Sequence, residues 1–240
     1  MLASFDAAQL EWRVCVHNSR DPIGIQEILD GVDFHTENQH RFRLPSRLIA
    51  KRFLFRAIFK GSPYAYSVDN DFKHIGGGEK FWRGVIDKFY EKYEGIARYH
   101  DDLIKAAVRD GFIESESGRI YDFPPIKNKR GQWVMPEKDI VNYPVQGFAA
   151  DLMKLIRISA MRRVQPFEEK AKLVNTVHDS LKFDLNMSVG EAVEFGRVVK
   201  GSFQDCGANF KKIFGRELLV PMDCDMNIGR NYLWQHKIKL

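Results

Sequence analysis

The chain has 240 residues, of which 44% are hydrophobic and 29% are charged, and its formal net charge is +5. This composition excludes a disordered chain and supplies enough apolar residues for one large core or two smaller ones. No stretch reads as a membrane span, and residues 1–13 lack the basic start and apolar run of a signal peptide. The basic excess fits a nucleic-acid partner, because phosphate neutralisation releases counterions, but a surface with spare lysines explains it as well.

The cysteines indicate a reducing compartment. Cys15, Cys206 and Cys224 are odd in number, widely spaced and without a C-x-x-C pair. That pattern argues against a disulfide framework or a zinc site. We therefore expect a cytoplasmic protein without a membrane partner.

The first half of the chain predicts one strand followed mainly by helices. Residues 2–6 are short and apolar and are predicted to form a buried strand that ends in an acid. Pro22 favours a helix start and Gly31 its end, while Ser46 is a predicted N-cap. Residues 60–78 are predicted to be rich in loops. Helices are predicted at 8–18, 22–31, 47–59, 81–93 and 96–109.

The second half predicts two hairpins and two helices. Hairpins are expected at 112–121 and at 172–184, with an irregular basic loop at 124–136 between them. A helix at 139–163 is expected to be interrupted at Pro144. Ser188 and Glu191 form a capping box that begins a helix reaching about residue 212. Residues 218–222 are predicted to form the last strand.

Two acids stand at the ends of predicted strands. Asp6 follows the first strand, and Asp179 lies at the tip of the second hairpin. Alone, the first is typical of a solvated acid and the second of a turn residue. Together they suit two magnesium ions about 3.5–4 Å apart, the arrangement that catalyses in-line phosphoryl displacement.

The predicted helix at 47–59 carries cations and aromatic rings on one face. Arg47, Lys51, Phe55 and Phe59 recur at four-residue steps and are therefore neighbours along the helix. Cations of this kind clamp a triphosphate, and an aromatic ring packs on a base or sugar. An ordinary amphipathic helix with a solvated basic side is the alternative, but such a side seldom carries phenylalanines.

Two amides lie around the proline of the predicted helix at 139–163. Asn142 and Gln146 are four residues apart and therefore share a helix face. They could contact a DNA minor groove or backbone. Capping of the kink at Pro144 is the alternative role.

In their order along the chain, these features resemble the motifs of family A (polymerase I-type) DNA polymerases, and phage replicative members in particular. Residues 6–13 resemble motif A, with Ala8 in place of serine. Arg47, Lys51 and Phe55 resemble motif B. The pair His178-Asp179 resembles motif C, with Ser180 in place of glutamate. Residues 33–36, 142–151 and 229–232 resemble the family's D-I-H-T, N-x-P-x-Q-G-x-A-A-D and G-x-N-W elements.

The resemblance implies a role for each matched residue. The metal ligands for two Mg²⁺ ions, for which Mn²⁺ may substitute, would be Asp6, Asp179 and the carbonyl of Ala7. Glu11 would exclude a ribose 2′-OH, and Lys51 would also be the acid for the pyrophosphate leaving group. The nucleotide would contact Ala7, Glu11, Arg47, Lys51, Phe55 and Phe59, and primer-template DNA would contact Arg13, Asn142, Gln146 and His178.

Departures from the family pattern affect both halves of the expected site. Ser180 leaves the metal site without a third acid, which implies weaker metal binding or altered geometry. Arg56 and Phe59 replace a glycine and a tyrosine of motif B, so handling of the template base is expected to differ. Phenylalanine at position 55 implies discrimination against dideoxynucleotides.

The resemblance also implies an α+β fold, with an antiparallel polymerase palm, a helical fingers subdomain and no thumb. We expect palm at 1–36, mainly fingers at 37–130 and palm again at 131–240. The chain starts about five residues before the motif A aspartate. We therefore expect one half of a split phage-type polymerase in the host cytoplasm. A second polypeptide would supply the thumb and the N-terminal palm and could carry a 3′–5′ exonuclease; an artificial or proteolytic fragment is the rival.

Two functions other than template-directed addition of dNTPs fit parts of the sequence. A non-catalytic DNA-binding or assembly subunit with a degenerate polymerase fold fits Ser180 and the altered motif B. A metal-dependent nuclease also uses paired acids, but it gives no role to Arg47, Lys51 and Phe55 on one helix.

Overall fold

The computed structural model describes residues 1–240 and separates them into a sheet unit, residues 1–10 and 147–240, and a helical unit, residues 11–146. The strands are β1 (Leu2–Ala7), β2 (Phe112–Glu114), β3 (Ile120–Asp122), β4 (Ile126–Lys127), β5 (Trp133–Val134), β6 (Ala171–Val177), β7 (Ser180–Leu185), β8 (Cys224–Gly229) and β9 (Gln235–Ile238). The helices are α1 (Leu10–Ser19), α2 (Pro22–Leu29), α3 (Phe34–Phe42), α4 (Arg47–Ala57), α5 (Pro63–Val68), α6 (Gly78–Lys92), α7 (Glu94–Asp110), α8 (Glu137–Arg163), α9 (Val189–Gln204) and α10 (Cys206–Phe214). The predicted α+β class is confirmed.

The sheet unit is built on five antiparallel strands in the order β6-β7-β1-β8-β9. Because side chains alternate along a strand, each strand sorts its residues between two faces. Phe5 of β1 and Phe183 of β7 pack against Phe195 of α9, with ring centroids 5.1–6.1 Å apart. The adjacent residues Asp6 and Lys182 therefore lie on the opposite, polar face.

In the helical unit, α4 is fixed by a cap and by an aromatic core. The Ile49 amide donates to Ser46 Oγ at 3.2 Å, so the predicted N-cap is confirmed. Phe53 is fully buried, and its ring centroid lies 5.2 Å from Tyr66, 6.0 Å from Trp82 and 6.1 Å from Phe89. Burial of this face leaves the cationic face of α4 towards solvent.

Several predicted elements are wrong in their limits or type. Residues 60–78 contain α5 and a short 3-10 turn, since Ser62 caps a helix that begins with Pro63. The basic loop contains the hairpin β4–β5. Asp205 separates α9 from α10 where one helix was predicted. The predicted interruption at Pro144 is wrong, because α8 continues through it; proline removes one N–H donor, and the remaining turns hold the helix.

The predicted strand at 218–222 is also wrong. Val220 and Met222 are buried there, but no ladder forms and the strand begins at Cys224. Pro221 lacks the N–H that a strand interior needs, so the run packs without pairing. No α-helix of the chain combines the length and apolar character needed to cross a bilayer. The predicted subdomain limits follow the family's palm and fingers and stay a prediction; the two units divide after Leu10 and Gln146.

Candidate active site

The two predicted metal ligands lie at the same end of adjacent strands. In the antiparallel register of β1 and β7, Asp6 is directly opposite Ser180, so Asp179 is one residue beyond the pairing. The Ala7 amide donates to the Asp179 carbonyl at 2.9 Å, which fixes the turn onto the end of β1. The fold of the sheet unit thus brings Asp6 and Asp179 together.

The turn that carries Asp179 is a two-residue hairpin loop. Val177 pairs with Ser180 across it, and His178 has a φ of 50°, a left-handed value that histidine tolerates better than most residues. Ser180 is buried, and its hydroxyl donates to the Val177 carbonyl at 3.0 Å. The serine therefore closes the turn and adds no carboxylate to the site.

The Asp6 carboxylate accepts two hydrogen bonds from neighbouring strands. Lys182 Nζ of β7 donates to Oδ1 at 3.2 Å, and Asn227 Nδ2 of β8 donates to Oδ2 at 3.2 Å. Lys182 Nζ also donates to Ser4 Oγ at 2.8 Å. Asp225 is directly opposite Asp6 on β8 and forms an ion pair with Lys237 at 2.8 Å. Sequence reasoning missed these partners, which only the strand register reveals.

The donor set fits magnesium. Asp6 and Asp179 offer hard carboxylate oxygens, and the Ala7 carbonyl belongs to the same strand end. No group of three or more His, Cys, Asp or Glu side chains comes together as a metal cluster. Magnesium needs no such cluster, since one or two carboxylates plus substrate phosphates and waters complete its shell. Cys15, Cys206 and Cys224 are buried and form no disulfide.

The helical unit carries Arg47, Lys51 and Phe55 on one face of α4, and Phe59 follows just after its end. Lys51, Phe55 and Phe59 line an open groove of about 670 Å³, whose arginines Arg52 and Arg56 are paired with Asp71 and Asp69. The Phe55 and Phe59 rings meet edge to face at 5.6 Å. This combination of cations and rings suits a nucleotide triphosphate.

Arg47 is engaged by an acid that sequence reasoning did not connect to it. Its guanidinium donates to both carboxylate oxygens of Asp33, at 2.7 and 3.0 Å. These bonds hold the pKa of Asp33 well below its usual range. His35 is buried near the same charges, and burial lowers its pKa to about 4, so it is neutral at pH 7. Both belong to the element at 33–36.

The residues predicted to contact DNA and the predicted steric gate, Glu11, lie partly in the sheet unit and partly in the helical unit. His178 is exposed in the sheet unit. In the helical unit, Glu11 and Arg13 are half-buried on α1; on α8, Gln146 is exposed and Asn142 is half-buried with its Oδ1 lacking a hydrogen-bond partner. The structure gives each residue a place and assigns none of them a ligand.

Comparison with known proteins identifies relatives. DNA polymerase I of Lactococcus lactis subsp. cremoris is 28% identical over 240 residues, which cover 97% of this chain and 26% of the relative. DNA polymerase I of Thermus aquaticus, described as thermostable, is 25% identical over 237 residues, which cover 97% of this chain and 27% of the relative. The chain thus spans about a quarter of the length of these relatives.

A solved structure shares the fold. It is described as the POL domain of Pol1 from M. smegmatis in complex with DNA primer-template and dNTP, and it superposes with a TM-score of 0.75 at 23% sequence identity. The match covers 95% of this chain and 39% of that one. The family model described as DNA polymerase family A matches residues 1–234. The chain therefore belongs to DNA polymerase family A.

Proposed function

We propose that this chain adds dNTPs to a primer 3′-OH under the direction of a template, using two Mg²⁺ ions. The observation that carries the proposal is the strand register that places Asp6 and Asp179 at one end of β1 and β7. Family membership supports it, as does the description of the M. smegmatis structure as a complex with primer-template and dNTP. DNA and dNTP are accordingly the proposed partners.

Asp6, Asp179 and the Ala7 carbonyl would hold the metal ions. Bound magnesium would stabilise the attacking and leaving oxygens of the phosphoryl transfer. The task of the protein is to keep these oxygens at fixed positions, and the bond from the Ala7 amide to the Asp179 carbonyl does so by joining turn to strand. Mn²⁺, which accepts the same oxygen ligands, would substitute.

The groove on α4 would receive the triphosphate. Lys51 forms no ion pair with a carboxylate in the helical unit. Arg47 is paired with Asp33 and would have to exchange that carboxylate for phosphate or bind both. Lys51 would donate the proton to the pyrophosphate leaving group, and Phe55 and Phe59 would pack on the sugar. Glu11 would act as the steric gate against a ribose 2′-OH.

Arg13, Asn142, Gln146 and His178 would contact primer or template near the 3′ end. Asn142 supports this role with a buried amide oxygen that lacks a hydrogen-bond partner in the protein. Such an acceptor is costly to leave unpaired, and a nucleic-acid donor would satisfy it.

Primer extension by the chain together with its co-purified partner tests the catalytic assignment. Asp6→Asn and Asp179→Asn each keep the side-chain size and remove a carboxylate charge, so we expect extension to fall by at least a thousandfold in Mg²⁺. Asp225→Asn is the matched control, because Asp225 lies on the same polar face yet is paired with Lys237. Extension by Asp179→Asn at the rate of the unsubstituted chain would overturn the assignment.

We further propose that the chain acts in the cytoplasm as one half of a split, phage-type replicative polymerase. The resemblance of the segment between Asp33 and Arg47 to phage replicative members motivates the phage-type assignment. A second polypeptide would supply the thumb and the remaining palm and could carry a 3′–5′ exonuclease. Co-purification from the native source tests this, and full activity of the isolated chain as a monomer would contradict it.

A non-catalytic DNA-binding subunit is the second candidate. It is favoured by Ser180, whose hydroxyl is committed to the Val177 carbonyl, and by Lys182, whose ammonium occupies Asp6. In that case the reconstituted assembly would bind primer-template normally while Asp6→Asn and Asp179→Asn left its extension rate unchanged.

A further inference from the structure

A lysine lies inside the proposed metal site. The Lys182 side chain is only 13% exposed, and its Nζ is 3.2 Å from Asp6 Oδ1. A second hydrogen bond, to Ser4 Oγ at 2.8 Å, anchors the ammonium from the neighbouring strand. The three residues share the polar face of the sheet through the pairing of Ser4 with Lys182. The contact is therefore fixed by the sheet register and by two partners.

We propose that Lys182 competes with the divalent cation for Asp6 and raises the metal concentration that the chain needs. The inference rests on the proposed function, because it takes Asp6 as a metal ligand. It goes further in assigning this lysine a part in setting metal affinity. Lys182 acts on the metal through Asp6, so it is a positioning residue.

The physical reason is repulsion between two cations that share one carboxylate. Magnesium binds carboxylate oxygen at about 2.0–2.1 Å. An ion on Asp6 would then lie within roughly 5 Å of an ammonium that already contacts the same group. In a partly buried site this repulsion is weakly screened. The metal must weaken the contact between Lys182 and Asp6 or accept a less favourable position.

The neighbouring charges do not cancel the effect. Asp225, the acid directly opposite Asp6, is already neutralised by Lys237 at 2.8 Å. Asn227 donates to the second oxygen of Asp6 and is neutral. Ser180 brings no negative charge. Lys182 thus offsets about half of the formal charge of the Asp6 and Asp179 pair.

Mn²⁺ binding to the full-length chain, measured by the electron paramagnetic resonance of free Mn²⁺ without DNA or dNTP, tests the proposal. Asp6→Asn defines the Asp6-dependent binding. Lys182→Gln removes the charge and keeps a donor for Ser4, and we expect it to tighten that binding roughly tenfold. Lys182→Met should act in the same direction, whereas Lys182→Arg keeps the charge and should stay near the unsubstituted affinity.

Lys170→Gln is the matched control, since it removes a cation that pairs with Glu191 just before β6, at the end of the sheet away from Asp6. We expect it to change Asp6-dependent affinity by less than about threefold, because its side chain is 55% exposed and therefore well screened. Thermal unfolding of each variant verifies that it folds. If Lys182→Met does not fold, the result for Lys182→Gln alone tests the proposal.

The outcomes separate this inference from the proposed function. Asp6-dependent binding that Lys182→Gln leaves unchanged or weakens overturns the competition and leaves the metal site intact. Loss of all Asp6-dependent binding, in every variant, overturns both. Tighter binding in Lys182→Gln with an unchanged Lys170→Gln supports both.

Discussion

Phe55 presents a half-exposed ring on the cationic face of α4, where it meets Phe59 edge to face. A phenylalanine ring packs on a nucleotide sugar but offers no hydrogen bond. We expect Phe55→Tyr to raise incorporation of dideoxynucleotides relative to dNTPs by up to about tenfold, since the added hydroxyl can replace a polar contact of the missing 3′-OH. Single-nucleotide incorporation with competing dNTP and ddNTP measures the ratio.

Phe59→Tyr is the control for that substitution, because it adds the same hydroxyl one helical turn further along. Its ratio should stay near that of the unsubstituted chain. An equal rise of this ratio in both variants would show a general opening of the groove and would contradict a contact between Phe55 and the sugar.

The paired acids of the site could be predicted from sequence, but their surroundings could not. Asp6 and Asp179 stand in motifs whose order is readable along the chain. Lys182 and Asn227 reach Asp6 across 176 and 221 residues of sequence, through strand register alone. The bond from Arg47 to Asp33 was missed for a similar reason, because it depends on how α3 and α4 pack.

Among the elements, α9 begins with a complete capping box. The Glu191 amide donates to Ser188 Oγ, and the Ser188 amide donates to Glu191 Oε2 at 2.9 Å. We expect Ser188→Ala to lower the free energy of unfolding by about 1 kcal/mol, because the Glu191 amide loses its acceptor and the Glu191 carboxylate loses the Ser188 hydroxyl. Urea denaturation at pH 7 measures the loss.

Ser67→Ala is its control, since the Ser67 hydroxyl bonds the Tyr64 carbonyl on an exposed helix and caps nothing. We expect a change below about 0.5 kcal/mol there. Equal losses in the two variants would show that the capping geometry of Ser188 contributes no more than an ordinary surface hydroxyl.

The elements that sequence reasoning placed well are those with local signals. Ser46 and Ser188 cap helices where their side chains predict it, and the tight turn before Ser180 follows from the apolar runs around it. The wrong predictions concern a run that is buried without forming a strand and a proline that lies within a continuous helix. Val220 is buried without a strand, while Pro144 is held within a helix by the turns on either side.

For the molecule as a whole, a fall in pH should destabilise mainly the helical unit. His17, His35 and His100 are buried there, and burial lowers the pKa of each from 6.5 to about 4. Between these values the unfolded chain binds more protons than the folded one, so stability falls as pH falls from about 6.5 to 4. We expect a loss of about 1–2 kcal/mol for each of the two more deeply buried histidines, His17 and His100, between pH 6.5 and 5.

Urea denaturation at the two pH values measures that loss. His100→Gln removes one buried histidine, whose ring lies 3.1 Å from both the Ile58 carbonyl oxygen and Tyr90 Oη, and should make the pH response shallower. His236 is exposed, so His236→Gln should leave the response unchanged. A response as steep in His100→Gln as in the unsubstituted chain would contradict the assignment.

The net charge of +5 gives a second prediction at this scale. If Lys and Arg side chains neutralise phosphates, the logarithm of the association constant for primer-template falls linearly with the logarithm of salt concentration, by about 0.9 per phosphate contacted. Arg13→Ala should reduce that slope by about 1 and weaken binding to different sequences alike. Fluorescence anisotropy between about 50 and 200 mM salt measures the slope.

Lys105 is exposed on α7 beside Asp102, and Lys105→Ala should leave the slope unchanged. Equal slopes in Arg13→Ala and Lys105→Ala would mean that the charge acts as a diffuse surface property, and Arg13 would then have no specific place on the DNA backbone.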